Sequence, residues 1–546
     1  MNPQNLIAKV WDYANILRDS GVSYTDYVAQ LSYLLFLKME SEIASVNPSA
    51  VSMIPSEYRW EVLKRLDGLE LESVYSKALA ELSKQGGIVG TIYQKAQNKI
   101  TEPAKLKRLI SLVDGETWLG LSVDVKGAIY EGLLAKNATE TKAGAGQYFT
   151  PRVLCESIVR LMRPTPQMSV CDPACGTGGF LLAAYAYMKS QSNDSEVLRA
   201  LREDKLYGKD ITPLVVSLCA MNLFLHGLGV GFGSSGANSE SSTTNSESES
   251  STKTHEDSRN PKQKPQRALV SEGDSLLELG SVRFDMVLTN PPFGKKSSTK
   301  IMGEDGSVKR ESETYTREDF IATTSNKQLN FLQHIMSLLK VRGKAAVVLP
   351  DNVLFEGGAG EKIRKRLLSE FDLHTILRLP TGIFYAQGVK ANVLFFDKYE
   401  ALAQGMRTSK VWVYDLRTNV NLSLVSNPLS AEHLADFEKC FCGGEVPKDL
   451  GDLAKNAGES SASNGDSADF AMLDFATMFA RRVESERFRA FSVEEILARD
   501  KANLDIFWLK DESLGEVESL PTPREIATVI KEDLQSAIRE FESAGV

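Results

Sequence analysis

Asn290, Pro291, Pro292 and Phe293 are the residues of this chain whose types and order most directly imply chemistry. The Asn290 amide oxygen and the Pro291 carbonyl are acceptors that together can take both N–H bonds of an exocyclic amine. Such bonds draw the nitrogen lone pair out of conjugation, so a weak aromatic amine becomes a usable nucleophile. Pro291 and Pro292 have fixed φ and no N–H, which leaves the backbone there with carbonyls alone. Phe293 adds a flat apolar face on which a planar base can stack. The plainer alternative is a polar turn that closes a strand, and the tetrapeptide alone does not separate the two.

A second group lies upstream, where Asp172-Pro173-Ala174-Cys175-Gly176-Thr177-Gly178-Gly179 runs into an apolar helix. Gly176, Gly178 and Gly179 permit a tight turn and close approach of backbone to a ligand. The loop opens with an acid and holds no lysine, so it is neither a P-loop nor a strict GxGxxG turn. An acid beside a Gly-rich turn suits a nucleoside carrying ammonium and sulfonium groups, as S-adenosylmethionine does. Asp210 and Asp274 fall at the tips of the next two predicted strands. There one carboxylate can take both ribose hydroxyls and the other lies within reach of an adenine amino group. Each acid alone also reads as a helix N-cap; the series of three strand ends is what argues for a ligand. Before the loop, Gln147-Tyr148-Phe149-Thr150-Pro151-Arg152 leads into a further helix. Thr150 reads there as an N-cap with Pro151 at the first helical position, and the segment is also placed to close over the cofactor's methionine end.

These residues need a scaffold of strands ending at one edge. Met168–Cys171, Leu206–Lys209, Leu269–Ser271, Phe284–Leu288, Ala345–Leu349, Thr375–Leu379 and Asn392–Phe396 read as strands, several of them near-continuous apolar runs suited to burial on both faces. Phe180–Lys189, Pro213–His226 and Gln328–Val341 read as helices between them. Alternation of this kind predicts an α/β, doubly wound Rossmann-like domain, here placed at 141–425. Residues 1–140 read as a helical domain, with Leu6, Val10, Ala14 and Leu17 on one face and Val28, Leu31, Leu34 and Leu35 on the next. Residues 426–546 read as a C-terminal helical tail, in which Ala527, Ile530, Leu534, Ala537 and Phe541 offer a seam to a partner helix or to the chain's own domain. Residues 233–267 and 452–469 are polar, low-complexity stretches expected to be disordered.

Composition narrows the class. The chain has 546 residues, 42% hydrophobic and 25% charged, with a formal net charge of −9, which argues against gripping nucleic acid through bulk electrostatics alone. Cysteines 155, 171, 175, 219, 440 and 442 form no CxxC pair and have no histidine at zinc-finger spacing, so no metal site is expected. The absence of a signal-type apolar core at the N-terminus predicts a cytoplasmic protein. The apolar run Ile211–Phe232 contains Pro213, Asn222, His226 and several glycines, and reads as a buried crossover helix rather than a membrane span.

Gln147–Arg152, Asp172–Phe180 and Asn290–Phe293, in that order, resemble motifs of the N6-adenine DNA methyltransferases. More narrowly, the chain resembles the modification subunit of type I restriction–modification systems. Gly343–Asp351, Leu379–Phe384 and Asn503–Ile506 add to the likeness, which covers nearly the whole chain. The resemblance implies that Gln147, Tyr148, Phe149, Thr150, Pro151, Arg152, Asp172, Gly176, Thr177, Gly178, Gly179, Asp210 and Asp274 bind S-adenosylmethionine. It implies that Asn290, Pro291, Pro292 and Phe293 hold a target adenine flipped out of duplex DNA, with no metal and no covalent nucleophile. It also implies a specificity subunit, a restriction subunit with motor and nuclease activities, and two copies of this chain per complex. Two rival readings are a protein-glutamine methyltransferase and a non-catalytic assembly subunit. The helical ends and the Phe at 293 weigh against the first, and the intact Asn290 and Gly turn against the second.

Overall fold

The structure is a computed structural model that describes residues 23–46, 52–116, 150–229, 268–293, 298–302, 308–312, 314–384, 389–400, 405–424, 427–444 and 479–510, with positions 13, 118, 130, 132 and 402. The helices are α1 Tyr24–Val46, α2 Trp60–Arg65, α3 Gly68–Leu82, α4 Gly87–Tyr93, α5 Pro103–Asp114, α6 Arg152–Met162, α7 Gly179–Lys189, α8 Ser195–Asp204, α9 Pro213–Leu225, α10 Lys327–Leu338, α11 Asn352–Phe355, α12 Ala359–Glu370, α13 Ala431–Phe441 and α14 Val493–Ala498. The strands are β1 Val170–Asp172, β2 Leu206–Asp210, β3 Val270–Glu272, β4 Phe284–Thr289, β5 Ser298–Met302, β6 Val308–Ser312, β7 Leu339–Pro350, β8 Phe371–Arg378, β9 Ala391–Lys398, β10 Lys410–Asp415 and β11 Phe488–Ser492.

Nine strands form one sheet in the order β11-β10-β8-β9-β7-β4-β1-β2-β3, and β5 and β6 pair as a separate antiparallel ribbon. From β3 to β7 the strands run parallel; β9 is antiparallel to both its neighbours, and β11 is antiparallel to β10. The chain moves outward from β1 through β2 to β3, then returns to place β4 on the other side of β1. That reversal opens a crevice at the carboxyl ends of β1 and β4, where Asp172 and Asn290 fall.

The two faces of the sheet carry separate cores. One gathers α6, α7 and α13 through residues such as Leu154, Phe180, Leu181, Phe437 and Phe441. The other gathers α10, α12 and α14 through Leu332, Ile335, Leu367 and Ile496. The N-terminal helices have their own core of Val28, Leu31, Leu34, Leu35, Trp60 and Tyr93, which extends onto α9 through Leu218, Met221 and Phe224. α9 is thus apolar all round because both its sides are covered. Among the described residues no helix is long and apolar enough to cross a membrane.

Two expectations need adjustment, and four segments fall outside the described residues. The helix expected to run to Val341 stops at Leu338, because Leu339 already pairs with Phe284 as β7 begins. The chain beyond 470 is not purely helical, since Phe488–Ser492 forms an edge strand beside β10. Phe488 is buried there, Trp412 stacks on its ring at 4.7 Å, and the Arg482 guanidinium lies over the rings of Phe479 and Phe441. The polar stretches 233–267 and 452–469, the face Leu6–Leu17 and the seam 527–541 lie outside the described residues.

Candidate active site

β1 delivers Asp172 to the crevice with only 2% of its surface exposed. Its Oδ1 accepts from the Ala174 N–H at 3.1 Å and from the Thr289 hydroxyl at 2.6 Å, which ties the ends of β1 and β4 together. Burial pushes this carboxyl up to about 7, and the Asp210 charge adds to the rise, while the bonds from Thr289 and Ala174 oppose it. Asp210 ends β2 and accepts from the N–H groups of Gly176 at 3.2 Å and Thr212 at 2.9 Å. Burial raises its pKa too.

The turn between β1 and α7 uses its glycines in different ways. Gly178 has φ +87°, and a Cβ built there would lie 2.9 Å from Cys219 Sγ on α9. The Thr177 carbonyl accepts from Asn222 Nδ2 of the same helix at 2.9 Å. Thr177 and Gly178 therefore seat the turn on α9. Gly176 and Gly179 line the cleft, which encloses about 230 Å³ together with Thr150, Asp172, Asp210, Asp274, Asn290 and Pro292.

At the end of β4, Asn290 Nδ2 donates to Thr150 Oγ1 at 3.0 Å. Its Oδ1 is buried and has no hydrogen-bond partner. An unsatisfied buried carbonyl costs about 1–3 kcal/mol, so the geometry favours an incoming N–H donor. The Pro292 carbonyl is held by Gln328 Nε2 at 2.9 Å. The Phe293 ring meets Phe384 edge-on at 5.4 Å.

The structure thus brings eight of the sequence-predicted site residues to one cleft and sets others around it. Pro151, Arg152, Thr177, Gly178, Pro291 and Phe293 are not part of the cleft lining, and Gln147, Tyr148 and Phe149 lie outside the described residues. Arg152 Nε is engaged with Glu156 Oε1 at 2.8 Å on the outside of α6. Thr150 is not the N-cap: α6 is capped by Pro151 with no side-chain cap bond, and the Thr150 hydroxyl turns to Asn290 instead. Asp274 is at the cleft, yet its oxygens accept from the Leu276 N–H and the Tyr315 hydroxyl, each at 2.9 Å.

Ile211, Leu276, Tyr315, Lys327 and Phe331 also line the cleft and were not anticipated. Ile211 directly follows Asp210 and is 60% exposed, so an apolar residue just past a strand-end acid was the available signal. Gln328, Asn330, Gln333 and His334 are polar residues buried in α10, a pattern that also marks a polar task nearby.

Comparison with known proteins matches this architecture. The family described as N-6 DNA Methylase matches residues 121–468, and the HsdM N-terminal domain matches residues 6–113. The EcoKI methylase subunit of the type I restriction enzyme of Escherichia coli K12 is 39% identical over 561 residues, covering 100% of this chain and 95% of that protein. The StySPI methylase subunit of Salmonella potsdam is 39% identical with the same coverage. A chain solved in work on complex assembly and conformational transition of the type I R-M system aligns with a TM-score of 0.65 and 25% identity, covering 100% of this chain and 98% of that one. A type I methyltransferase subunit from Streptococcus thermophilus shares the fold with a TM-score of 0.58 at 17% identity, covering 89% of this chain and 100% of that one. The glutamine-methyltransferase and non-catalytic readings are not favoured by these relationships. The chain belongs to the N-6 DNA methylases as a methylase subunit of the type I restriction enzymes, an adenine-specific DNA methyltransferase.

Proposed function

We propose that the cleft binds S-adenosylmethionine and that the turn after β4 presents adenine N6 to it. The buried, unpartnered Asn290 Oδ1 is the observation that carries the reading, because it is an acceptor in want of an N–H. The residues present suit the cofactor. Asp172 and Asp210 are paired, buried carboxyls for a cationic nucleoside, and Ile211, Leu276 and Phe331 offer apolar faces for its base. When bound, the cofactor supplies a methyl group on a sulfonium whose departure leaves a neutral thioether.

The chain's own work is positioning. Asn290 Oδ1 and the Pro291 carbonyl accept from the N6 amine and hold its lone pair toward the methyl, and Phe293 lies against the base. Proximity and orientation of this kind supply up to about 7–11 kcal/mol of barrier lowering. Adenine must leave the duplex first, at a cost of a few kcal/mol. The partners we assign are double-stranded DNA, a specificity subunit that reads the sequence, a restriction subunit and a second copy of this chain. The working division is a helical domain at 1–140, the methyltransferase domain at 141–425 and a C-terminal region at 426–546, and the protein is assigned to the cytoplasm.

Asn290→Ala tests the site. With labelled S-adenosylmethionine, DNA and the specificity subunit, transfer falls by about 10²–10³, as for loss of one positioned polar group, while cofactor affinity measured by calorimetry stays within about twofold. Near-normal transfer by the variant would refute the amine-receiving role.

A further inference from the structure

The Asn290 amide has two chemically opposite ends, and an incoming amine can use only the oxygen. The last torsion of an asparagine side chain is broad and roughly two-fold, so residue 290 does not by itself hold that oxygen forward. The support comes from outside β4. Thr150 Oγ1 accepts from Asn290 Nδ2 at 3.0 Å, engaging the nitrogen end and leaving the buried Oδ1 without a partner. That hydroxyl is available because α6 is capped one residue later, by Pro151.

The other side of the turn is held from α10. Gln328 is 3% exposed, and its Nε2 donates to the Pro292 carbonyl at 2.9 Å. Its own backbone N–H donates to Asn326 Oδ1 at 3.0 Å, and Asn326 Nδ2 donates to Glu356 Oε2 at 2.7 Å. Glu356 Oε2 also accepts from Asn352 Nδ2 at 3.3 Å, on the short helix after β7. The Asn290–Pro292 turn is therefore gripped by a hydroxyl from the segment before α6 and by an amide on α10, the latter anchored to the loop beyond β7. Two prolines stiffen φ within the turn, but they do not set where the turn as a whole lies.

We propose that Thr150 and Gln328 are positioning residues for methyl transfer: Thr150 orients the Asn290 amide and Gln328 fixes the prolyl end of the turn. This rests on the reading of Asn290–Phe293 as the amine-receiving turn, and it assigns Thr150 a role toward the acceptor base instead of the cofactor. The two roles differ kinetically. Removing a group that binds the cofactor raises the Kd for S-adenosylmethionine, whereas a misplaced acceptor lowers kcat at saturating cofactor.

The experiment compares Thr150→Val, Thr150→Ser and Gln328→Met in the complex assembled with its specificity subunit and DNA. Measured quantities are kcat and KM at saturating cofactor, Kd for S-adenosylmethionine by calorimetry, and thermal unfolding. Thr150→Val removes the acceptor with little change of shape, and kcat falls by about tenfold to a hundredfold, the scale on which small misplacements act. Kd stays within about twofold, Thr150→Ser restores most of kcat, and Gln328→Met behaves like Thr150→Val. Thr150→Ala replaces the valine variant if that one does not fold. A raised Kd with unchanged kcat overturns the proposal and makes Thr150 a cofactor-binding residue. Folded Thr150 and Gln328 variants with normal kcat overturn it as well. Asn290→Ala separates the two levels: if it stays active, the underlying reading fails, and if it is inactive while the supporting variants are normal, the positioning proposal alone fails.

Discussion

Asp172→Asn removes one charge and little else. Asn keeps an oxygen to accept from the Thr289 hydroxyl and the Ala174 N–H, so the join between β1 and β4 survives. The wild-type carboxyl is raised by burial to about 7, which places roughly 4 kcal/mol, as a ceiling, on keeping it ionised in the empty protein. The sign follows from linkage. The group's contribution to stability is full below the ordinary carboxylate range and is lost as pH rises through about 7. The variant should therefore melt several degrees above wild type at pH 8, with the gap closing toward pH 4, as about 2–4 °C per kcal/mol implies for domains of 150–250 residues. Cofactor binding runs the other way. A cationic ligand favours the ionised carboxyl, so wild-type affinity for S-adenosylmethionine should weaken below pH 7 by up to tenfold per pH unit, and S-adenosylhomocysteine, which keeps the ammonium but has lost the sulfonium charge, should respond less where the carboxyl faces the sulfur. Calorimetry from pH 5.5 to 7.5 with both ligands, beside thermal unfolding of both proteins, measures each effect. Wild-type affinity flat across that range, together with no gain in stability for the variant at pH 8, would refute the argument that burial raises the Asp172 carboxyl and that a cationic ligand binds its ionised form.

Gly178→Ala should destabilise the fold by about 1–3 kcal/mol, because its Cβ would lie 2.9 Å from Cys219 Sγ at a φ of +87°. Thermal unfolding reads the effect, and adding Cys219→Ala should recover part of it; an unchanged melting point in the single variant would mean that the turn yields freely. The chain purified alone should bind S-adenosylmethionine without site-specific methylation, which the specificity subunit should switch on. Sequencing of modified adenines decides this, and site-specific methylation by the chain alone would count against the assigned partnership. Truncation near residue 520 should weaken assembly, read by size-exclusion chromatography, more than cofactor affinity.

The sheet was legible because its central strands are buried on both faces and so read as unbroken apolar runs, such as Met286-Val287-Leu288 and Ala345 to Leu349. Asp172 and Asn290 were legible for a related reason, since a polar residue that stops such a run falls at the strand's carboxyl end, whereas Asp210 follows Lys209 in the mixed sequence of β2 and was legible only from its place at the strand tip. Tyr315 and Phe331, which line the cleft, and Gln328, which holds the Pro292 carbonyl, were not, since they come from the segments that follow β6, and no local pattern says which strand end they approach. Thr150 misled by local logic. Ser or Thr before Pro is a sound capping signal, but the Asn290 side chain, 140 residues away, competes for the hydroxyl and wins it. Gly178 looked like space made for a ligand, whereas the atom it makes room for is Cys219 Sγ. β11 escaped because its five residues alternate only briefly and sit among charges, and its pairing with β10 depends on aromatic contacts from well before it in sequence.

The clearest link between the helical domain and the chemistry is α9, whose apolar sequence is ambiguous by itself. One side carries Cys219 and Asn222, which seat the turn after β1 by contact with Gly178 and by the bond to the Thr177 carbonyl. On the other side the Ser217 hydroxyl donates to the Ile92 carbonyl, and the Phe224 ring lies 4.6 Å from that of Phe36. Gln94 Nε2 reaches the Pro213 carbonyl at 3.1 Å, and Lys95 pairs with Glu272 at the end of β3, so the contact continues along the sheet edge. Burying each large apolar side chain at such a face contributes about 1.5–3 kcal/mol, so Leu218, Met221, Phe224 and Leu225 together outweigh the polar ties. A helix covered on both sides has little room to shift without disturbing one side or the other, because packed interiors yield poorly to displacement. The helical domain therefore braces, through α9, the turn after β1, which gives a physical reason for the two parts to occur in one chain.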